Sequence, residues 1–123
     1  MRKIPAIALA AAGICAGLAT DTVVAAELTG QQLYGQCIAC HSTNGTNGVG
    51  PTLKGIVGRA SAAVPGFAYS EAMKRAQLKW TGAQLDKYLE NPQAVVPGNT
   101  MPYPGMKDPA QRTALIAYLL TLK

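Results

Sequence analysis

The sequence predicts a small all-α fold, three to five short helices joined by long loops. Three observations predict it. Apolar residues recur at helical spacing, as in Leu85, Tyr88 and Leu89, and again in Leu115, Ile116, Leu119 and Leu120. No stretch alternates apolar and polar residues as a half-buried strand does. Glycine and proline punctuate the intervals between the helical windows, which makes those intervals irregular backbone.

Each element has its own signal. Leu28 to Ala39 reads as a helix, with Leu33, Cys37 and Cys40 at i, i+4 and i+7. Ser42 to Gly48 is a loop by composition, and Gly50-Pro51 and Gly55 to Gly58 continue it. Ser70 caps a short helix through Ala76, and Thr81 caps a longer one. Asn91-Pro92 ends that helix, because a residue before proline resists helical dihedrals. Val95 to Lys107 is a loop. Asp108 caps the last helix, with Pro109 at its first position.

The 123 residues allow one domain at most, and the first stretch does not belong to it. Met1-Arg2-Lys3 is positive, Ile4 to Leu18 is almost wholly apolar, and Val23-Val24-Ala25-Ala26 offers small or compact residues for cleavage. Residues 1–26 therefore read as a secretory signal peptide and 27–123 as the domain. The alternative is an uncleaved anchor, but the apolar run falls short of the ~20 residues a spanning helix needs. After cleavage nine basic and five acidic residues remain, a net charge of +4 with no basic run, so nucleic-acid binding is not indicated. Only Cys37 and Cys40 remain as cysteines, and they close too small a loop to staple a domain. With few aromatic residues besides, something other than side chains must fill the core. Loops this long in so small a domain make sense if they wrap a large rigid object.

Cys37-Ile38-Ala39-Cys40-His41 supplies the object. This CxxCH pattern is the attachment signature of c-type haem. Two thiols three apart at a helix end reach the two vinyl groups of one porphyrin, and the next residue aims its imidazole at the iron. A thioredoxin-like CxxC would want a strand–helix context, whereas here helix precedes and loop follows. A structural zinc site needs four ligands, and the domain has two cysteines and one histidine. An export signal agrees with haem attachment outside the cytoplasm.

With one histidine in the chain, bis-histidine ligation is excluded. Methionine, lysine or an open site remain. Met101 is favoured as the second axial ligand. It sits in Pro97-Gly98-Asn99-Thr100-Met101-Pro102-Tyr103-Pro104-Gly105, where Pro102 and Pro104 stiffen an extended backbone. Met106 is the alternative, and Met73, in a helical context, reads as packing.

Taken together, CIACH, GPTLKGIVGR, PGFAYSEAMK, KWTGAQLDKYLENP, VPGNTMPYPG and LIAYL, in this order, resemble the class I cytochrome c family of mitochondrial and bacterial electron shuttles. The resemblance implies a cytochrome c fold wrapped around one covalent haem c. It implies thioether bonds at Cys37 and Cys40, and axial ligation by His41 and Met101. Pro51 matches the proline whose carbonyl accepts the His41 ring N–H, and Tyr88 the tyrosine beneath the haem. Arg59, Tyr69 and Trp80 match donors to the haem propionates, and Asn99 stands where the family has a threonine contacting one. A buried carboxylate does need such donors, although Trp80 as plain core and Arg59 as a solvated charge stay open. Gly30, Leu33, Leu115 and Tyr118 fall where the family's first and last helices cross. The mitochondrial lysine ring is missing: Gln36, Gln93, Ala94 and Thr100 occupy its positions, while Lys107 remains.

The implied function is one-electron transfer in a periplasmic respiratory or dehydrogenase chain, without enzymatic activity. The partners are a redox protein donor and acceptor, such as an oxidase, reductase or dehydrogenase, with no nucleic acid and no stable membrane insertion once the signal is cut. A dedicated haem subunit of one periplasmic dehydrogenase is the alternative. A peroxidase or gas sensor with a labile sixth ligand is a remoter one.

Overall fold

The computed structural model describes residues 26–123, together with Ala10, Ala12, Gly13 and Gly17. The expected signal segment otherwise lies outside the described residues. Five helices follow in order: α1 (Gly30–Tyr34), α2 (Glu71–Ala76), α3 (Gly82–Glu90), α4 (Pro92–Val95) and α5 (Pro109–Leu119). Among the described residues, β pairing is confined to one bridge between Ala60 and Lys79. The fold is thus the all-α one expected, with more than half of the domain in loops.

Side-chain caps start the helices. Ser70, Thr81 and Asp108 each accept a backbone N–H of the first turn of α2, α3 and α5, as the sequence indicated. Such a cap contributes about 1 kcal/mol. Two features were not anticipated. Thr29 forms a reciprocal capping box with Gln32 at the head of α1. Asn91 ends α3 and then caps α4, its side chain accepting from the Ala94 N–H.

The first helix is shorter than its apolar spacing suggests. Regular helix covers only Gly30–Tyr34, and the chain then continues in turns to Cys40. There the bonds tighten to i−3: Gln36 N–H to Leu33 O, Cys37 N–H to Tyr34 O and Cys40 N–H to Cys37 O. The tighter pitch separates what the spacing placed on one face. Leu33 is buried at 1 % exposure, whereas Cys37 and Cys40 are half-buried.

α1 crosses α5 at close range. A methyl group on Gly30 would run into Ala114 O and lie 2.7 Å from Tyr118 Cβ. Only glycine admits that approach, and it brings Leu33 and Leu115 together in the core, with the Tyr34 and Tyr118 rings 5.4 Å apart. Burying each such leucine contributes about 1.5–3 kcal/mol. On α5 the apolar stripe is narrower than expected: Leu115 and Leu119 are buried, but Leu120 is half exposed. α3 packs on α5 through Leu85, Tyr88 and Leu89 on its buried side. Arg112 of α5, itself buried, donates from Nε to Asp86 of α3 at 2.8 Å and from NH1 to Met106 O and Lys107 O. Nothing in the hydrophobic pattern announced this buried arginine. It ties the last helix both to α3 and to the end of the preceding loop.

Candidate functional site

An apolar cavity of about 260 Å³ opens in this scaffold. Its walls come from the turns after α1, the loops 49–70, the helices α2 and α3, and the loop 99–103. Cys37, Cys40, His41, Pro51, Arg59, Tyr69, Trp80, Tyr88, Asn99 and Met101, every site residue read from the sequence, line this one cavity.

The two cysteines are unpaired with each other. Burial, and then the proximity of Cys40, push the Cys37 thiol up from its ordinary range. His41 is oriented by the chain itself. Its Nδ1 lies 2.7 Å from Pro51 O. A carbonyl can only accept, so Nδ1 carries the proton and the Nε2 lone pair is left free to bind a metal. Gly50 makes room for the ring: a Cβ there would sit 2.5 Å from His41 Cε1 and 2.7 Å from Nδ1. On the other side of His41, its carbonyl accepts the Tyr34 hydroxyl at 2.8 Å.

The loop between His41 and Arg59 is held by its own polar side chains. Buried Thr52 accepts the N–H groups of Gly45 and Lys54 at its hydroxyl, while its own N–H goes to Asn47 Oδ1. Asn47 in turn donates to Pro65 O at 3.1 Å. The sequence reading marked this stretch only as loop; neither Thr52 nor Asn47 carries a signal beyond turn composition.

Met101 is half-buried at the cavity wall, and Asn99 holds its backbone. Asn99 is 7 % exposed; its Nδ2 donates to Pro92 O and Val96 O, and its Oδ1 accepts the Met101 N–H at 3.0 Å. These bonds tie the amide to α4, its C-terminal end and the Met101 backbone, and so shape the methionine segment at the cavity wall. Met106, the alternative ligand, stands elsewhere. It is 4 % exposed within the core, its N–H bonded to Leu89 O, and it does not reach the cavity. Met73 does line the cavity, from α2, rather than only packing its helix.

The polar groups of the cavity are few. Arg59 is the sole formal charge among its lining residues, half-buried and held by Thr52 O and Lys54 O. Burial lowers its guanidinium pKa from the ordinary value. Tyr69 accepts the Val64 N–H at its hydroxyl, which leaves the O–H proton available. Trp80, 6 % exposed, packs against Tyr88 with ring centroids 4.8 Å apart. Burial pushes the Tyr88 phenol up to about 12. At the mouth, Tyr103 donates to Gln36 Oε1 at 3.0 Å.

These residues fit a porphyrin bonded to the chain. The walls are apolar and broad, two thiols and a free imidazole nitrogen enter from adjacent positions, and a thioether sulfur enters from a different loop. A lone, partly buried guanidinium in an otherwise uncharged cavity calls for an anion, which a carboxylate side arm of such a group supplies. Fold and site together define a small helical haem-binding protein. The Cytochrome c family matches residues 28–123, and the chain belongs to it. The cofactor of that family is one covalently bound haem c, and its work is electron transfer rather than catalysis. The chain is 49 % identical over 94 residues to cytochrome c2 of Rhodomicrobium vannielii, covering 75 % of each protein. It is 52 % identical over 88 residues to cytochrome c2 of Rhodopila globiformis, covering 71 % of this chain and 83 % of that one. Its structure is similar to cytochrome cH from Methylobacterium extorquens, with a TM-score of 0.72 and 43 % identity over 75 % of this chain and 94 % of that one.

Proposed function

We propose that this chain is a one-electron carrier of the periplasm, exported by residues 1–26, that shuttles between a donor and an acceptor protein. Cys37 and Cys40 form the thioethers, and His41 and Met101 are the axial ligands. The observation that carries the reading is the convergence of both thiols, the Pro51-oriented His41 ring and Met101 on one apolar cavity.

When bound, haem c supplies reversible one-electron iron chemistry at a potential raised by sulfur ligation. The chain's own residues do the rest. Pro51 fixes the tautomer and plane of His41. Asn99 holds the Met101 backbone, so that a weak thioether ligand stays in place at little entropic cost. Trp80, Tyr88, Leu85 and Leu89 keep water from the interior of the cavity. Arg59, Tyr69 and Trp80 offer donors to the propionates.

Docking should be brief and only weakly electrostatic. Gln36, Val49, Thr100, Pro102 and Tyr103 line the cavity without charge. An uncharged mouth gives a partner little long-range steering, so association should depend weakly on salt. Among the described residues no helix is long and apolar enough to cross a membrane. The test is Met101→Ala in the mature holoprotein. The sulfur-to-iron charge-transfer band should vanish, and carbon monoxide and cyanide should bind readily. An unchanged spectrum overturns the ligand assignment.

A further inference from the structure

We propose that the hydrogen bond between Tyr103 and Gln36 is a latch that holds Met101 in place, making both residues positioning residues for that ligand. The inference rests on the reading of Met101 as the sulfur ligand. The loop from Pro97 to Lys107 is secured at its two ends. At the start, the Asn99 amide is tied to α4, and Gln93 Nε2 donates to Asn99 O at 2.9 Å. At the finish, Met106 N–H bonds Leu89 O and Lys107 Nζ bonds Glu90 O. Between these anchors runs Thr100 to Gly105, the segment that carries the sulfur.

Met101 belongs to that middle segment, and its neighbours cannot secure it alone. Pro102 and Pro104 have no N–H to give. The Tyr103 N–H turns back to Met101 O at 2.9 Å, a bond local to the segment. Among the described residues, the Tyr103 hydroxyl makes the one side-chain hydrogen bond from this segment to the turns carrying Cys37, Cys40 and His41, 67 positions away in sequence. Withdrawal of Met101 from the cavity moves Pro102 and Tyr103 with it, because the prolines stiffen the segment. Such withdrawal therefore breaks the Tyr103–Gln36 bond. The latch adds to the cost of exchanging Met101 for an outside ligand, beside the hold that Asn99 Oδ1 has on the Met101 N–H from the other side of the residue.

Imidazole, a small neutral ligand, reads that cost directly. It is titrated into the ferric holoprotein while loss of the sulfur-to-iron band is followed in the parent, Tyr103→Phe, Gln36→Ala and the double variant. Each single variant should bind imidazole about two- to fivefold more tightly, the range an exposed hydrogen bond supports. The double variant should be no tighter than either single one, because both remove the same bond. Gln36→Glu keeps an acceptor oxygen and should restore parental binding. Additive effects in the double variant, or unmoved imidazole affinity in both single variants, overturn the latch while leaving the Met101 ligand standing. A parent holoprotein without the sulfur band overturns the ligand reading, and the latch falls with it.

Discussion

Replacing Asn99 by alanine should destabilise the protein by about 2–4 kcal/mol and loosen Met101 at the same time. The magnitude follows from the three bonds of the amide. Its two donor bonds go to Pro92 O and Val96 O, which keep one partner each, since they also accept from the Val96 and Asn99 N–H groups. Losing them removes about 0.5–1.5 kcal/mol apiece. The Met101 N–H loses its acceptor, Asn99 Oδ1, and a stranded buried donor costs about 1–3 kcal/mol. Met101 is only half-buried, so water can reach that N–H in part, which places the total in the lower half of the range. For a domain of this size, about 4–8 °C of Tm accompanies each kcal/mol. Thermal unfolding of the oxidised holoprotein, followed at both the Soret and the sulfur bands, measures both effects, and the sulfur band should fail first. Stability within 0.5 kcal/mol of the parent refutes the reasoning. A shifted reduction potential at unchanged Tm would assign the amide to the haem carboxylates instead.

Three further outcomes are expected. Gly50→Ala should cost about 1–3 kcal/mol in denaturant unfolding, the usual penalty for overpacking, because its methyl would press on the His41 ring at 2.5 Å; parental stability would show that the ring can shift freely. Cys37→Ala with Cys40→Ala should leave the chain largely unfolded, read by far-ultraviolet circular dichroism, since the cavity would lose the group that fills it; an ordered chain would refute that. Tyr88 should make stability fall at high pH. Its folded pKa is raised to about 12 from 10.0, so its contribution is complete below pH 10 and is lost as pH rises towards 12. Tyr88→Phe should flatten that part of the stability curve, and an unchanged slope would place the phenol in water.

What the sequence made legible was whatever depends on local chemistry. The Ser70, Thr81 and Asp108 caps are each read within a few residues and stand where the sequence put them, and CxxCH and Met101 line one cavity. The α1/α5 crossing at Gly30 was legible only through family resemblance, because a close approach leaves no periodic trace. The errors have the same origin. Helical spacing from Leu28 to Ala39 cannot tell an α-helix from a run of i−3 turns, so the spacing overstates the length of α1. Spacing also cannot say where a helix face stops being covered, and Leu120, in register with the stripe, is half exposed. Arg112 and Thr52 are invisible as buried residues, because composition assigns polar side chains to the surface.

Those polar residues explain how so loop-rich a domain can be stiff. A loop lining a cavity built for a rigid guest cannot bury its backbone in a helix or a sheet, yet its N–H and C=O groups still need partners. Thr52 serves the loop beside His41, Asn99 the loop beside Met101, and Arg112 the carbonyls where that second loop meets α5. Each directs its side chain at backbone groups of its loop, Arg112 also at the Asp86 carboxylate, and each is buried. His41 and Met101, the proposed axial ligands, thus stand on segments held by directional bonds as well as by apolar packing. Directional bonds resist small displacements more sharply than packing does, so the ligand segments should keep their positions when the charge on the iron changes by one. An electron carrier needs that property, since every shift of its ligands between the two oxidation states slows transfer. The substitutions that most impair electron exchange should therefore include Thr52→Val and Asn99→Ala, which remove loop-holding bonds and leave every ligand in the sequence, and self-exchange rates of the two variants against the parent measure it.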